Sequence, residues 1–263
     1  MVANNSIRES IRAAEGRALN VYFTAGFPSL DSIPTIIEAL ESSGADLIEL
    51  GMPYSDPLAD GLTIQNSSKI ALENGLNLKI LFEQIAVARK STTIPIIMMG
   101  YFNQLLQFGV EGFLKLASER GIAGLIIPDL PMDIYERDYQ SLFEKYNMTI
   151  SFLISPMTSK ERIEQADRLS SGFIYVVSQS SITGKKGDIS EDQKQYFKRI
   201  EKMNLKSPRL IGFGIHDHKS FKAACSFSDG AIVGSAYIRA LANTQDIIKT
   251  TTTFIKSIKQ NIL

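Results

Sequence analysis

The sequence predicts a (β/α)8 barrel, one domain spanning residues 1–263. Three observations carry that prediction. Short apolar runs rich in β-branched residues alternate with amphipathic helical stretches, and runs apolar on both faces suit parallel strands covered by helices. Eight such units in 263 residues match a barrel of roughly 250 residues. The turn after the first run, "TAGFPS", lacks the Gly-x-Gly-x-x-Gly of a dinucleotide-binding open sheet, which is the competing arrangement because periodicity does not reveal strand order. No Gly/Ser/Pro-rich linker divides the chain.

The elements follow in order. Residues 3–15 form an amphipathic stretch before the first strand, 19–25 (LNVYFTA). Ile33, Ile36, Ile37 and Leu40 fall at i, i+3, i+4 and i+7, giving the next helix one apolar face. The second strand is 45–51 (ADLIELG), followed by an extra helical piece over 62–73. Strands three and four, 94–100 and 123–129, flank a helix striped by Val110, Phe113, Leu114 and Ala117. The fifth and sixth strands are 148–154 and 172–178. A polar, glycine-bearing loop (181–192) follows, and then a solvated Lys/Glu/Gln-rich helix over 191–204. Strands 209–214 and 229–235 complete the eight. A short helix at 235–242 and a final stripe of Ile247, Thr251, Phe254, Ile255 and Ile258 end the chain. The extra helices before strand one, after strand two and after strand eight read as decoration of the barrel.

Composition excludes several classes. Lys+Arg and Asp+Glu both total 28, so no net charge draws the chain to nucleic acid. The single cysteine, Cys225, cannot form an internal disulfide and suits a reducing compartment. The N-terminal stretch is charged and lacks the apolar core of a signal peptide. No run approaches the ~18–20 apolar residues of a membrane span. A soluble cytoplasmic protein is expected.

Barrel enzymes carry their chemistry at the C-terminal strand ends. Glu49 lies at such an end, in "IELGMPYSDPLADG", on the same strand face as Leu47. If that face points inward, Glu49 projects into the barrel mouth, where burial would raise its pKa into the range of a general acid or base. The alternative is a carboxylate bonded to loop amides. Asp56-Pro57 is a turn initiator, and Asp60-Gly61 is a turn that could cap the helix from Leu62. Asp129, in "IIPDLP", is a further strand-end acid; spacing does not choose among the three. Gly212-Phe213-Gly214 and Gly234-Ser235 end the last two strands, where loops and a short helix commonly bind phosphate. Thr183-Gly184 could join those contacts or latch a lid. No strand core holds a lysine for a Schiff base. His216 and His218 have no third convergent ligand, so Asp217 is expected to cap a helix rather than bind metal.

These segments resemble the α subunit of tryptophan synthase over nearly the full length. The resemblance rests on "YFTAGFPS", "IELGMPYSDPLADGLTIQ", "AGLIIPDLP", "FIYVVSQSSITG", "GFGI" and "DGAIVGSA" in the family's order and spacing. It implies a lyase that cleaves indole-3-glycerol phosphate to indole and glyceraldehyde 3-phosphate by acid–base retro-aldol chemistry, without metal or Schiff base. It assigns proton transfer to Glu49 and stabilisation of the charge at the indole N–H to Asp60. Phe23, Tyr175, Thr183 and Phe213 become substrate contacts; Gly184, Gly214, Gly234 and Ser235 become the phosphate site. Asp56, Pro57, Asn103 and Asp129 are expected to face a β subunit in an α2β2 assembly. Pyridoxal phosphate is expected only in that partner, and no cofactor in this chain. The alternative is a catalytically weak activator of the β subunit, which would need neither carboxylate. Three positions depart from the family pattern: Gln179 for arginine, Leu62 for proline and Gly100 for threonine.

Overall fold

Strands without a polar face are stable only when both faces are covered, and this chain covers each of its own. The computed structural model describes residues 6–57, 60–178, 190–212 and 214–260. The strands are β1 (Ala18–Thr24), β2 (Leu47–Gly51), β3 (Ile96–Met99), β4 (Gly124–Ile126), β5 (Thr149–Ile150), β6 (Leu153–Ile154), β7 (Ile174–Val177), β8 (Arg209–Gly212) and β9 (Gly230–Val233). They form one sheet in the order β5-β4-β3-β2-β1-β9-β8-β7-β6, with every pair parallel.

The two strands at the ends of that order are consecutive in the chain. Thr149 and Ser151 donate their amides to the Ala123 and Leu125 carbonyls on one side, while Gly172 and Tyr175 donate to Ile150 and Phe152 on the other. Segment 149–154 is therefore one barrel strand, bent in the middle, that closes the sheet on itself. Serine hydroxyls fill the gaps the bend leaves. Ser171 accepts from the Ile150 amide, Ser170 from Phe152 and Ser151 from Phe173. Eight barrel strands in chain order result, as the alternation of the sequence predicts.

Strand alternation sorts the apolar residues into two layers. Leu19, Val21, Phe23, Ile48, Leu50, Ile96 and Met98 face out and pack with the helices, including Ile33, Ile36, Ile37 and Leu40 of the helix Ile33–Ser42. Ala18, Leu47, Ile97, Ile126, Leu210 and Ile232 face in. Helix Ser6–Ala13 is more than decoration. Its Ile7 and Ile11 join the inner cluster, and Arg8 donates to the Ser170 and Gly172 carbonyls and to the Ser207 hydroxyl. The helix plugs the N-terminal floor of the barrel, each isoleucine contributing roughly 2 kcal/mol of burial. Helices Leu62–Glu73 and Ser235–Ala242 pack on β1 and on each other, walling one side of the opposite mouth.

Sequence periodicity misses a helix at Phe102–Phe108, joined to Val110–Glu119 through Gly109 at φ +88°. Only Leu105 of that short helix is buried, so it carries no stripe to detect. Asp217 caps His218–Cys225 by accepting from the Ser220 amide, as expected. Burial pushes the Cys225 thiol up to about 12, which keeps it protonated and unreactive.

Candidate active site

Leu47 belongs to the inner cluster, so Glu49, two residues on, also points into the barrel. On that face it is flanked in register by Tyr22 of β1 and Ile97 of β3. The apolar floor beneath it leaves only 1% of the residue exposed. Burial is the main reason its pKa rises from an ordinary 4.5 to about 8; the nearby Asp60 charge adds to the rise. Asn20 opposes it, donating from Nδ2 to Glu49 Oε2 at 2.9 Å. A carboxyl held near neutrality can act as acid and base in one cycle.

Asp60 does not cap the following helix. Gly61 occupies the N-cap of Leu62–Glu73 without any side-chain cap bond, which frees the Asp60 carboxylate. Its backbone is held instead: the amide donates to the Pro57 carbonyl at 3.0 Å, and Gln65 Nε2 donates to its carbonyl at 2.8 Å. The Tyr101 hydroxyl donates to Asp60 Oδ2 at 3.2 Å, and Tyr101 is itself stacked on Tyr54 at 4.8 Å between centroids. Burial raises the Asp60 pKa, with the Tyr101 bond working against it. The loop after β2 thus presents one carboxylate to the mouth while Asp56 stays exposed.

Phe23 requires a correction. It pairs in register with Leu50 and packs in the outer layer among the helices, so it cannot wall the inner mouth. Tyr22, one residue earlier, takes that place. Tyr175 faces in. Both tyrosines lean over a glycine of the next strand: an ideal Cβ on Gly51 would stand 2.1 Å from the Tyr22 hydroxyl, and one on Gly212 would stand 2.4 Å from that of Tyr175. Two phenols thereby fill the vacant inner slots beside the carboxylates. Burial, and then the Glu49 and Asp60 charges, keep Tyr175 protonated; burial does the same for Tyr22. Gly51→Ala is expected to force Tyr22 out of its slot, at a cost of about 1–3 kcal/mol read in thermal melts, with lowered activity.

Gly214 has φ +80°, a backbone conformation that a side chain would strain. Gly234 precedes helix Ser235–Ala242, whose first internal bonds run from Tyr237 and Ile238 to the Gly234 carbonyl. The Ser235 and Ala236 amides precede those bonds and have no carbonyl partner within the helix. The Tyr22 ring lies against Gly234, 3.5 Å from an ideal Cβ there, which puts the helix start beside the carboxylate strands. Thr183, Gly184, Gln179 and Phe213 lie outside the described residues.

The residues expected to face a partner share one rim. Asn103 and Asp129 are exposed and Pro57 is half-buried, all following β2, β3 and β4. Asn103 donates to the Tyr54 hydroxyl at 3.2 Å, and Asp129 Oδ1 accepts the Phe102 amide at 2.8 Å. Two departures from the family pattern also find their place. Leu62 is 76% exposed at the first helical position, where a proline would lose no hydrogen bond. The space beside Gly100 is taken by Met52 and Gln104.

The family profile described as "Tryptophan synthase alpha chain" matches residues 9–262. The chain belongs to the tryptophan synthase alpha chain family. The Flavobacterium psychrophilum tryptophan synthase alpha chain is 50% identical over 254 residues, covering 97% of this chain and 99% of that one. The Bacteroides thetaiotaomicron member is 44% identical, over 92% and 94% of the two chains. Among solved structures, tryptophan synthase subunit alpha from Legionella pneumophila superposes with a TM-score of 0.86 at 30% identity, covering 97% of each chain. A structure from the Pyrococcus furiosus tryptophan synthase α2β2 complex gives 0.86 at 29% identity, over 92% of this chain and 97% of that one. The barrel and its order of strands are those of this tryptophan synthase family.

Sequence reasoning missed Asn20, Tyr22 and Tyr101. Asn20 carried the same signal that singled out Glu49, a polar side chain inside an apolar strand run. Tyr101 carried none, since its reach to Asp60 depends on how two loops fold together.

Proposed function

We propose that this chain cleaves indole-3-glycerol phosphate to indole and glyceraldehyde 3-phosphate and passes the indole to a tryptophan synthase β subunit. The observation that carries this reading is Glu49, buried at the end of β2 with a pKa raised to about 8 and with Asp60 near enough to add to that rise. Electrons from the breaking carbon–carbon bond must go into the indole ring, which accepts them once C3 is protonated. Glu49 gives that proton and takes one back from the hydroxyl of the adjacent side-chain carbon. The bond between that carbon and C3 breaks, the carbon becomes the aldehyde, and the ring regains its aromaticity. Asp60 faces the indole N–H and stabilises the positive charge that develops there. No step needs a metal or a Schiff base.

Tyr22, in place of Phe23, and Tyr175 bound the indole. Gly214, Gly234 and Ser235 supply amides for the phosphate, together with Gly184, and Thr183 and Phe213 are assigned to the substrate by the family resemblance. Asp56, Pro57, Asn103 and Asp129 form the docking rim for the β subunit in an α2β2 assembly. Pyridoxal phosphate belongs to that partner, not to this chain. The chain works in the cytoplasm as one domain; among the described residues no helix is long and apolar enough to cross a membrane.

A coupled assay of glyceraldehyde 3-phosphate release, with and without β subunit, tests the reading, and no turnover in either condition overturns it. Asp60→Asn keeps the shape but removes the charge, and should lower kcat by about 10²-fold with little change in KM. Unchanged kcat would take Asp60 out of the mechanism.

A further inference from the structure

Asn20 is a buried amide on β1, fully enclosed, and nothing about barrel stability calls for a polar group at that depth. Its Nδ2 donates to Glu49 Oε2 at 2.9 Å, yet its Oδ1 is buried without any hydrogen-bond partner. Leaving an acceptor unsatisfied in a barrel interior is costly, so the idle oxygen requires an explanation. A carboxylate can only accept hydrogen bonds, whereas a carboxylic acid can also donate one. An amide offers a donor on one side and an acceptor on the other, and a half-turn about its Cβ–Cγ bond exchanges them.

We propose that Asn20 is the positioning residue for Glu49, donating to it when it is a carboxylate and accepting from it through Oδ1 when it is the acid. The inference rests on the proposed role of Glu49, a group that must give and take a proton in each turnover. The amide keeps one carboxyl oxygen fixed through both states, so the reacting oxygen keeps its aim. The other groups that face Glu49 cannot do this. Asp60 is itself a carboxylate, while the Tyr22 and Tyr175 phenols act at the neighbouring glycine slots. Tyr101 is committed to Asp60. Ile97 and Leu47, the remaining inner neighbours, are apolar.

The test is titration of the Glu49 side chain in the full-length protein by carboxyl ¹³C NMR, the resonance being assigned by its absence in Glu49→Gln. Asn20→Leu keeps the branched shape at somewhat larger volume and removes both polar atoms. It should shift the Glu49 titration up by about one pH unit, because the bond Asn20 makes to the carboxylate is stronger than the one it makes to the acid and only the difference is lost. The pH profile of kcat should move with it, kcat should fall by about tenfold or more, and KM should stay within about twofold. Asn20→Ser, too short to reach Glu49, gives the same reading with less disturbance of the packing, and stands alone if the leucine variant does not fold. An unshifted Glu49 titration in a folded variant overturns the proposal. Full turnover by Glu49→Gln would overturn the catalytic reading instead, and the NMR titration separates the two failures because it needs no activity.

Discussion

Glu49→Gln is expected to lower kcat by at least about 10³-fold while leaving KM for indole-3-glycerol phosphate nearly unchanged. The proposed mechanism asks this side chain for two proton transfers, to C3 and from the hydroxyl, and a positioned acid or base typically contributes about 10²–10⁴-fold for each such role. Glutamine keeps the length and shape of the residue and can still accept from Asn20, but it has no proton to give and no basic oxygen. Binding should survive because the proposed phosphate site, at Gly214, Gly234 and Ser235, follows other strands. Steady-state kinetics beside ligand titration decide the matter. Full activity removes Glu49 from the chemistry, and lost binding would reassign it to holding the mouth together. Because the group titrates at about 8, it is mainly the acid at pH 7, the form needed to protonate C3 first.

How much of this was legible beforehand depends on the length scale of the signal. The eight strands were, because each is an apolar run bounded by turns, and burial of both faces leaves no other stable use for such a run. The direction of Glu49 was legible conditionally, since alternation ties it to Leu47 and only the closed barrel says which face is inner. The same alternation exposed the error at Phe23: carried over by resemblance, the aromatic was displaced by one residue, and a shift of one turns a side chain to the opposite face. Asp60 and Asp56 could not be separated by local chemistry because both precede turn formers. What distinguishes them is Gly61 taking the N-cap and Tyr101 arriving from the loop after β3, a contact between residues 41 apart in sequence. The bent fifth strand was invisible for a similar reason. Segment 148–154 reads as one run, and only the pairing partners on its two sides reveal the break.

The same Glu49→Gln variant should gain stability relative to the parent as pH rises. In the folded chain the Glu49 carboxyl titrates at about 8 against an ordinary 4.5, so between those values the native state holds a proton that the unfolded chain has lost. Stability therefore falls with rising pH across that window: the contribution is fully present below 4.5 and is lost as pH climbs through about 8. The shift corresponds to at most about 5 kcal/mol, a large fraction of the 5–15 kcal/mol that typically holds a domain together. Glutamine removes this dependence, and its side-chain oxygen can still accept from Asn20 Nδ2. Urea melts of both proteins at pH 5 and pH 9 should show the stability difference moving in favour of the variant by several kcal/mol. A difference independent of pH would mean that Glu49 titrates near its ordinary value, and would remove burial as the source of its reactivity. A carboxylate that lowers stability where it stays and supports turnover only where it is buried is retained for its chemistry, which is why the variant predicted to lose its activity is also predicted to be the harder one to unfold.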